Sequence, residues 1–355
     1  MPDVPLEEYH RKRDADRTPE PMGGEPSSGD GLSFVIQEHH ARRLHWDFRL
    51  ERDGVLVSWA IPKGLPPDPA TNHLAVHVED HPLDYGSFSG SIPSGQYGAG
   101  TVSIWDNGYY DTEKWTDREV KVVLHGTRAR GRFVLFRTKD PNWMIHRMDG
   151  PATPDWKPIP TDLAPMIPTP GPLPDGSSDW TYDMCWDGLR VLVTVEGGRA
   201  RITTEDGADV TRSYPDVRTL GPALGTTQVL LDGEIVALDE AGRPDTERLR
   251  RRIDTTGEAA ARRLANKTPV VFIVYDLLHV DGRSLLDVPL SERRQVLEQL
   301  PIATGSAQLS PAFDGDGAAA LDASRAHGLR GVVAKRISSG YQPGRRSDAW
   351  IRTDN

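Results

Sequence analysis

The sequence has a single cysteine, Cys185, and no apolar run near the ~20 residues that a membrane-spanning helix needs. One thiol excludes an intramolecular disulfide framework and a cysteine-rich zinc module, so a bound metal would take histidine and carboxylate ligands. The N-terminal residues lack the basic and apolar regions of a secretory signal. We therefore expect a cytoplasmic protein that does not contact a membrane.

An excess of basic charge is also absent. The chain has 42 lysines and arginines against 52 aspartates and glutamates, and the balance is similar in residues 1–150 (18 against 23) and 151–355 (24 against 29). A polycation that coats nucleic acid is excluded, although a local patch can still bind a few phosphates. Nine of the eleven histidines precede residue 150, which points to imidazole chemistry in the first half.

The length of 355 residues favours two domains. Residues 1–33 are polar and rich in proline, glycine and acidic residues, which predicts a partly mobile arm. Residues 34–150 are a series of short apolar runs between turn residues, typical of an all-β barrel or sandwich. Residues 151–178 concentrate proline and glycine and predict a linker, whereas residues 179–355 mix strand and helix patterns typical of an α+β domain.

Two histidine-bearing strands give the strongest chemical signal. Alternation along the first predicts that His45, Asp47 and Arg49 share one face, opposite an apolar face. The apolar positions are Leu44, Trp46, Phe48 and Leu50. In the second, alternation predicts an apolar face of Leu74, Val76 and Val78 and a polar face of His73, His77, Glu79 and His81. Solvated outer faces of a sheet are one interpretation of these stripes. A metal site beside a phosphate is the other, because imidazole and carboxylate suit Mn²⁺, Zn²⁺ or another first-row ion and an arginine fork matches a phosphate.

At these residues the sequence resembles the 3′-phosphoesterase domain of bacterial end-joining DNA ligase D. The matching segments are 9–14, 18–21, 39–50, 59–64, 78–85, 92–102 and Trp143. The resemblance implies a metal-dependent enzyme that removes a 3′-ribonucleotide or 3′-phosphate from DNA to leave a 3′-hydroxyl. It also implies DNA 3′ ends as substrate, a nucleoid location, and end-joining proteins such as Ku, a ligase and a polymerase as partners.

The resemblance also implies roles for individual residues. By position, His39, His45 and Asp47 would bind a Mn²⁺-type ion. The other implied site residues are Arg13, Asp14, Glu20, Arg49, Lys63, His73, His81 and Tyr85. Arm residues 6–21 would fold back onto this site. His73 stands where the family commonly has arginine, and a neutral histidine holds phosphate less firmly.

The second half resembles the nucleotidyltransferase domain of ATP-dependent DNA ligases. The matching segments are 186–190, 231–234, 272–282, 331–335, 341–347 and 350–352. The family's motif Lys-x-Asp-Gly, whose lysine attacks the α-phosphorus of ATP, reads Cys185-Trp186-Asp187-Gly188 here. A glutamate that binds metal in the family is Arg330, a lysine is Arg352, and the chain ends before an OB-fold. These losses predict a degenerate pseudo-ligase domain.

Two questions stay open at this point. The retained Asp187, Arg190, Glu234 and Lys335 fit either a pocket that still holds ATP or DNA, or inherited architecture that only supports the fold, and we expect Cys185 to be a buried structural thiol. For the whole chain, the alternatives to an end-processing enzyme are a non-enzymatic scaffold that binds DNA ends and an ATP-dependent ligase with an unusual nucleophile.

Overall fold

The computed structural model describes residues 6–23, 32–153, 155–175, 178–255 and 257–355. The chain divides into two compact units, residues 1–156 and 157–355. Within the described residues, every helix is too short or too polar to cross a bilayer. The glycine-rich stretch 24–31 of the predicted arm lies outside the described residues.

The first unit is a closed antiparallel barrel of eight strands, which confirms the predicted all-β barrel. Its strands, in spatial order, are β1 (Ser33–His40), β2 (Leu44–Arg52), β3 (Val55–Ile61), β4 (Asn72–His81), β9 (Asn142–Arg147), β8 (Arg130–Lys139), β7 (Glu119–Gly126) and β6 (Gly100–Thr116). The barrel closes because β1 pairs with both β2 and β6. The short strand β5 (Gly90–Ile92) pairs antiparallel with the first residues of β6. Helix α1 (Glu7–Lys12) and a 3₁₀ turn (Leu83–Ser87) complete the unit.

Strand β2 follows the predicted alternation. Its even-numbered residues, Leu44 to Leu50, are buried in a core shared with residues such as Trp59, Phe133 and Ile145. Burial of these side chains drives the closure of the barrel, at roughly 1.5–3 kcal/mol for each large apolar side chain removed from water. The odd-numbered residues of β2 lie on the opposite face, where the candidate site forms.

Strand β4 departs from the predicted alternation. Leu74 is 40% exposed, whereas Ala75 is fully buried in the core and His77 packs on the rings of Trp59 and Trp143. The register between β3 and β4 shifts between Leu56 and Ser58, which indicates a bulge. The bulge turns Glu79 and His81 to the site face, so the four polar residues predicted to form one stripe lie on two faces.

The second unit begins earlier than the sequence predicts. Met166 is buried, and β10 (Ile167–Pro170) pairs with the C-terminal β20 (Arg346–Asp354). The backbone N–H of Lys157 donates to Gly282 in the same unit. The prediction of a linker across 151–178 is therefore wrong for residues 157–175, because prolines occupy an edge strand as readily as a free linker.

Two mostly antiparallel sheets form the α+β second unit. One contains β10, β20, β19 (Gly331–Arg336), β11 (Trp180–Cys185) and β18 (Ala312–Asp314); the other contains β13 (Arg199–Thr204), β12 (Leu189–Glu196), β14 (Val229–Ala237), β15 (Val270–Val280), β16 (Arg283–Ser284) and β17 (Ala307–Leu309). The helices are α2 (Leu220–Leu224), α3 (Thr246–Ile253), α4 (Glu258–Ala265), α5 (Leu290–Glu298) and α6 (Gly317–Ala326). Side chains from both sheets, among them Leu192, Leu278 and Trp350, pack in one core cluster.

Candidate functional site

Pairing of β1 with β2 brings together the three predicted metal ligands. His39 lies directly opposite His45 in the register, and their rings are 4.7 Å apart. Asp47 lies two residues further along β2, with Oδ2 3.5 Å from His39 Nδ1 and Oδ1 3.5 Å from His45 Nε2. One donor atom from each residue lies within 4.8 Å of the others. The three side chains therefore converge on one point.

In each of the two imidazoles, one ring nitrogen is bonded to a backbone carbonyl and the other faces Asp47. His39 Nε2 lies 2.8 Å from the carbonyl of Gly98, and His45 Nδ1 lies 3.0 Å from the carbonyl of Arg43. A carbonyl can only accept, so each of these nitrogens donates and the other ring nitrogen faces Asp47. That second nitrogen donates to the carboxylate when it carries a proton, and it offers a lone pair to a cation when it does not. Carbonyl partners of this kind orient the histidine ligands of metal sites. The donor set thus fits a divalent first-row ion.

Charge at the cluster is set by Asp47 and Arg49. Burial favours a neutral Asp47, but the Arg49 guanidinium and hydrogen bonds from His39 and His45 hold the pKa of that carboxyl well below 3.8. Burial alone would lower the pKa of His45, but its hydrogen bond to Asp47 and the negative charge of that carboxylate outweigh burial and raise the pKa above 6.5. Asp47 is therefore an anion at neutral pH, as a ligand must be.

Arg49 is 2% exposed, and all three nitrogens of its guanidinium donate hydrogen bonds to other residues. Its Nη2 donates to Asp47 Oδ2 at 3.0 Å, its Nε to Gln37 Oε1 at 2.7 Å and its Nη1 to Ser58 Oγ at 2.9 Å. Gln37 and Ser58 were not among the predicted site residues. The position of Gln37, two residues before His39 on the same strand face, was the available signal.

The N-terminal arm packs onto the same face. Arg13 Nε donates to Glu20 at 2.8 Å, its Nη1 to Glu79 at 3.0 Å, and its Nη2 lies 3.2 Å from His81 Nε2. Tyr85 donates to Glu20 at 3.1 Å, and its ring lies beneath the Arg49 guanidinium. These contacts join the predicted Arg13, Glu20, His81 and Tyr85, and they add Glu79, which the sequence placed on the polar face but not in the site.

His81 is neutral in this environment. Burial, followed by the cations Arg49 and Arg13, holds the pKa of His81 well below 6.5. Its Nδ1 donates to the carbonyl of Glu79 at 2.8 Å, so Nε2 accepts the hydrogen bond from Arg13. The lone pair of Nε2 therefore faces the arm.

The remaining predicted site residues are Asp14, Lys63 and His73. Asp14 is exposed, and its carboxylate accepts the backbone N–H of Asp16 in a local turn. Lys63 is exposed on the turn that follows β3. His73 is buried with Nδ1 2.7 Å from the carbonyl of Gly64, on the core side of β4.

In the second unit, three of the four retained motif residues, Arg190, Glu234 and Lys335, line a pocket between the two sheets. The pocket is lined by Pro168, Asp183, Cys185, Arg190, Glu234, Tyr275, Val333, Lys335 and Trp350. Most of its charges are paired within the protein. Lys335 lies 2.6 Å from Asp183, and Arg190 binds the buried Asp232 through two hydrogen bonds of 2.7 and 2.6 Å.

Cys185 lies at the end of β11 and is buried, as predicted. Burial, reinforced by the negative charge of Glu234, raises the pKa of its thiol to about 11. The thiol is therefore protonated at neutral pH, and a protonated thiol is a poor nucleophile. Nearby, Arg330 Nη1 donates to Asp187 at 2.6 Å, so the carboxylate of the Asp-Gly motif is already paired with the positive charge of an arginine.

Comparisons with known proteins agree with both resemblances. Residues 37–137 match the DNA Ligase D 3′-phosphoesterase domain, and residues 173–353, just over half of the chain, match the ATP dependent DNA ligase domain. The Mycobacterium tuberculosis H37Rv "Multifunctional non-homologous end joining DNA repair protein LigD" is 48% identical over 98% of this chain and 45% of its own. The Pseudomonas aeruginosa "Multifunctional non-homologous end joining protein LigD" is 36% identical over 98% of this chain and 47% of its own.

Among solved structures, "mycobacterial DNA ligase D complexed with ATP and MES" is 40% identical, covering 54% of this chain and 60% of that chain with a TM-score of 0.48. The chain spans just under half the length of the curated relatives named above. The chain therefore belongs to the ATP-dependent DNA ligase family and carries a DNA ligase D 3′-phosphoesterase domain in front of its ligase domain.

Proposed function

We propose that the first unit is a Mn²⁺-dependent phosphoesterase that trims DNA 3′ ends during end joining. It would remove a 3′-ribonucleotide or a 3′-phosphate and leave the 3′-hydroxyl that a polymerase or ligase needs. The observation that carries this proposal is the convergence of His39, His45 and Asp47 beside the buried guanidinium of Arg49. DNA would therefore meet cation-binding and phosphate-binding groups on one face of the barrel.

In this proposal the three ligands would hold the metal through His39 Nδ1, His45 Nε2 and the Asp47 carboxylate. When bound, a divalent ion neutralises phosphate charge and makes a bound water more acidic. Arg49 keeps Asp47 ionised and adds positive charge where the phosphate would lie. Once DNA displaces the hydrogen bond between Arg13 and His81, Arg13 could donate to a phosphate oxygen, and His81 Nε2 could accept a hydrogen bond from a water.

We further propose that the second unit does not form a covalent adenylate. The names of the relatives and the matched family describe ligases, so this departs from what the family alone suggests. Two features support it: a thiol with a pKa of about 11 stands at the nucleophile position, and Arg330 occupies the Asp187 carboxylate. Asp187, Arg190, Glu234 and Lys335 would then serve reversible binding of ATP or DNA, or the fold alone. Contacts with Ku, a separate ligase or a polymerase, and a nucleoid location, stay predictions.

The proposal is tested with the full chain and a labelled primer–template that ends in one 3′-ribonucleotide or in a 3′-phosphate. We expect Mn²⁺ to convert both ends to a 3′-hydroxyl, which a gel and a polymerase extension step detect. Binding of these ends without conversion would favour the alternative of a non-enzymatic scaffold.

A further inference from the structure

Tyr97 is an exposed aromatic side chain at the rim of the candidate metal centre. Its side chain is 47% exposed, whereas Tyr9 and Tyr85 on the same face are buried. It lies on the turn between β5 and β6, and its neighbour Gly98 accepts the hydrogen bond from His39 at 2.8 Å. Tyr97 therefore precedes, by one position in the sequence, the residue that contacts the candidate ligand His39.

The position of Tyr97 is fixed from two sides. The turn is closed by hydrogen bonds from Gln96 N to Pro93 O at 3.1 Å and from Ala99 N to Gln96 O at 3.2 Å. On the arm side, the Lys12 ammonium lies 4.9 Å from the centre of the ring, and the Arg13 guanidinium lies 5.4 Å from it. An aromatic ring held in this way loses little conformational freedom when a flat ligand packs on its free surface.

The ligand that fits is a nucleobase. Base–aromatic stacking tolerates any sequence because every base presents a π-face, which suits an enzyme that must act on arbitrary DNA ends. The last nucleotide of a strand stacks on only one neighbour, so it is the easiest to lift out of the duplex. With the scissile phosphate at the metal centre, the terminal nucleoside is the group that extends to the rim.

We propose that Tyr97 stacks on the base of the 3′-terminal nucleotide that is removed, and so determines specificity for nucleoside ends over bare phosphate ends. This inference rests on the proposed function of the first unit. The nucleoside that leaves would lie against a surface formed by Tyr97 together with Lys12 and Arg13 of the arm.

The test compares kcat/KM of the full chain and of Tyr97→Ala on three primers. One ends in a ribonucleotide, one in the same ribose without its base, and one in a 3′-phosphate. We expect Tyr97→Ala to lose about tenfold on the first, the size of one lost base–aromatic stack, and less than twofold on the other two. Tyr97→Phe should retain the wild-type preference because it keeps the ring.

Tyr109 provides a matched control. It is another exposed tyrosine of the same barrel, 59% exposed and stacked on His125. Tyr109→Ala should leave all three rates unchanged. An equal loss by Tyr97→Ala on primers with and without the terminal base, or no loss on either, would overturn the stacking role. Wild-type protein inactive on every primer would overturn the proposed function itself, together with this inference.

Discussion

The Arg49 guanidinium donates to the Asp47 carboxylate at 3.0 Å, from the next position on the same face of β2. Both side chains are buried, and Gln37 and Ser58 hold the other two arms of the fork. From the sequence, the fork of Arg49 was expected to match a phosphate. The structure instead ties it to a candidate metal ligand, so its effect on the metal and its effect on the phosphate are coupled.

Replacement of Arg49 tests this coupling. A lysine ammonium cannot make three hydrogen bonds in the plane of the fork, so Arg49→Lys should leave Asp47 less well oriented. We expect Mn²⁺ affinity to fall by about 10- to 100-fold, as for other residues that orient metal ligands, and 3′ processing to fall with it. Titration calorimetry with Mn²⁺ measures the affinity, with Arg52→Lys at the end of the same strand as control. Unchanged affinity with lost turnover would instead assign Arg49 to the phosphate alone.

The docked arm depends on Arg13. Its side chain is 4% exposed and pairs with Glu20 and Glu79, whose side chains are 0% and 2% exposed. Removing one partner of such a buried network costs about 3–5 kcal/mol, and the arm can relieve that cost by leaving the barrel. Arg13→Ala should therefore speed hydrogen exchange of residues 6–23 while the barrel strands stay protected. Arg11→Ala, at a side chain that is 74% exposed, is the control. Equal protection in both variants would contradict the anchoring role of Arg13.

Local patterns in the sequence predicted β2 well and β4 poorly. Along β2 the alternation is uninterrupted, so the shared face of His45, Asp47 and Arg49 follows from the period of a strand. In β4 a bulge shifts the register, and one extra residue moves every later side chain to the other face. No pattern around His73 or His81 shows where that residue is inserted.

Contacts between distant residues were not accessible from local patterns. Arg13 and Glu79 are 66 positions apart, and the docking of the arm was expected only from the family resemblance. Arg330 and Asp187 are 143 positions apart; the sequence showed the change of charge at Arg330 but not that its guanidinium would bind Asp187. The proline-rich segment before β11 was predicted to be a linker, because composition does not show that Met166 is buried.

The stability of the first unit should fall on mild acidification because of His81. Its folded pKa lies below the 6.5 of an unfolded histidine, so the unfolded chain binds the proton more readily. The stability that His81 contributes is fully present above pH 6.5 and is lost as the pH falls below it, by up to about 1.4 kcal/mol for each unit. Urea midpoints at pH 7.5 and 5.5 measure the loss. His81→Gln should show a smaller loss than wild type, and an equal loss would place the acid sensitivity elsewhere.

The second unit should resist labelling by ATP. Incubation of the full chain with α-³²P-labelled ATP and Mg²⁺ or Mn²⁺ should give no covalent adenylate, because the Cys185 thiol is protonated at neutral pH. Cys185→Lys alone should not restore nick sealing, since Arg330 still occupies Asp187. Cys185→Lys combined with Arg330→Glu is the informative comparison, because it changes both positions. Adenylate on the unmodified chain would show that this unit is a working ligase. Sealing by the single variant would show that Cys185 is the one position that prevents ligation.

In the proposed function, His39, His45 and Asp47 form the metal centre of a 3′-phosphoesterase. The most direct test is a side-by-side time course of wild type, His45→Ala and His125→Ala on a primer–template with one 3′-ribonucleotide, with Mn²⁺ and with a chelator. Of the three candidate ligands, His45 alone is not buried, so its removal should disturb the barrel least. His125 lies on β7, away from the cluster. We expect wild type and His125→Ala to produce the 3′-hydroxyl only with Mn²⁺, and His45→Ala to lose more than about 100-fold in rate. Full activity of His45→Ala, or wild-type activity in the chelator, would show that these three residues do not form a catalytic metal centre.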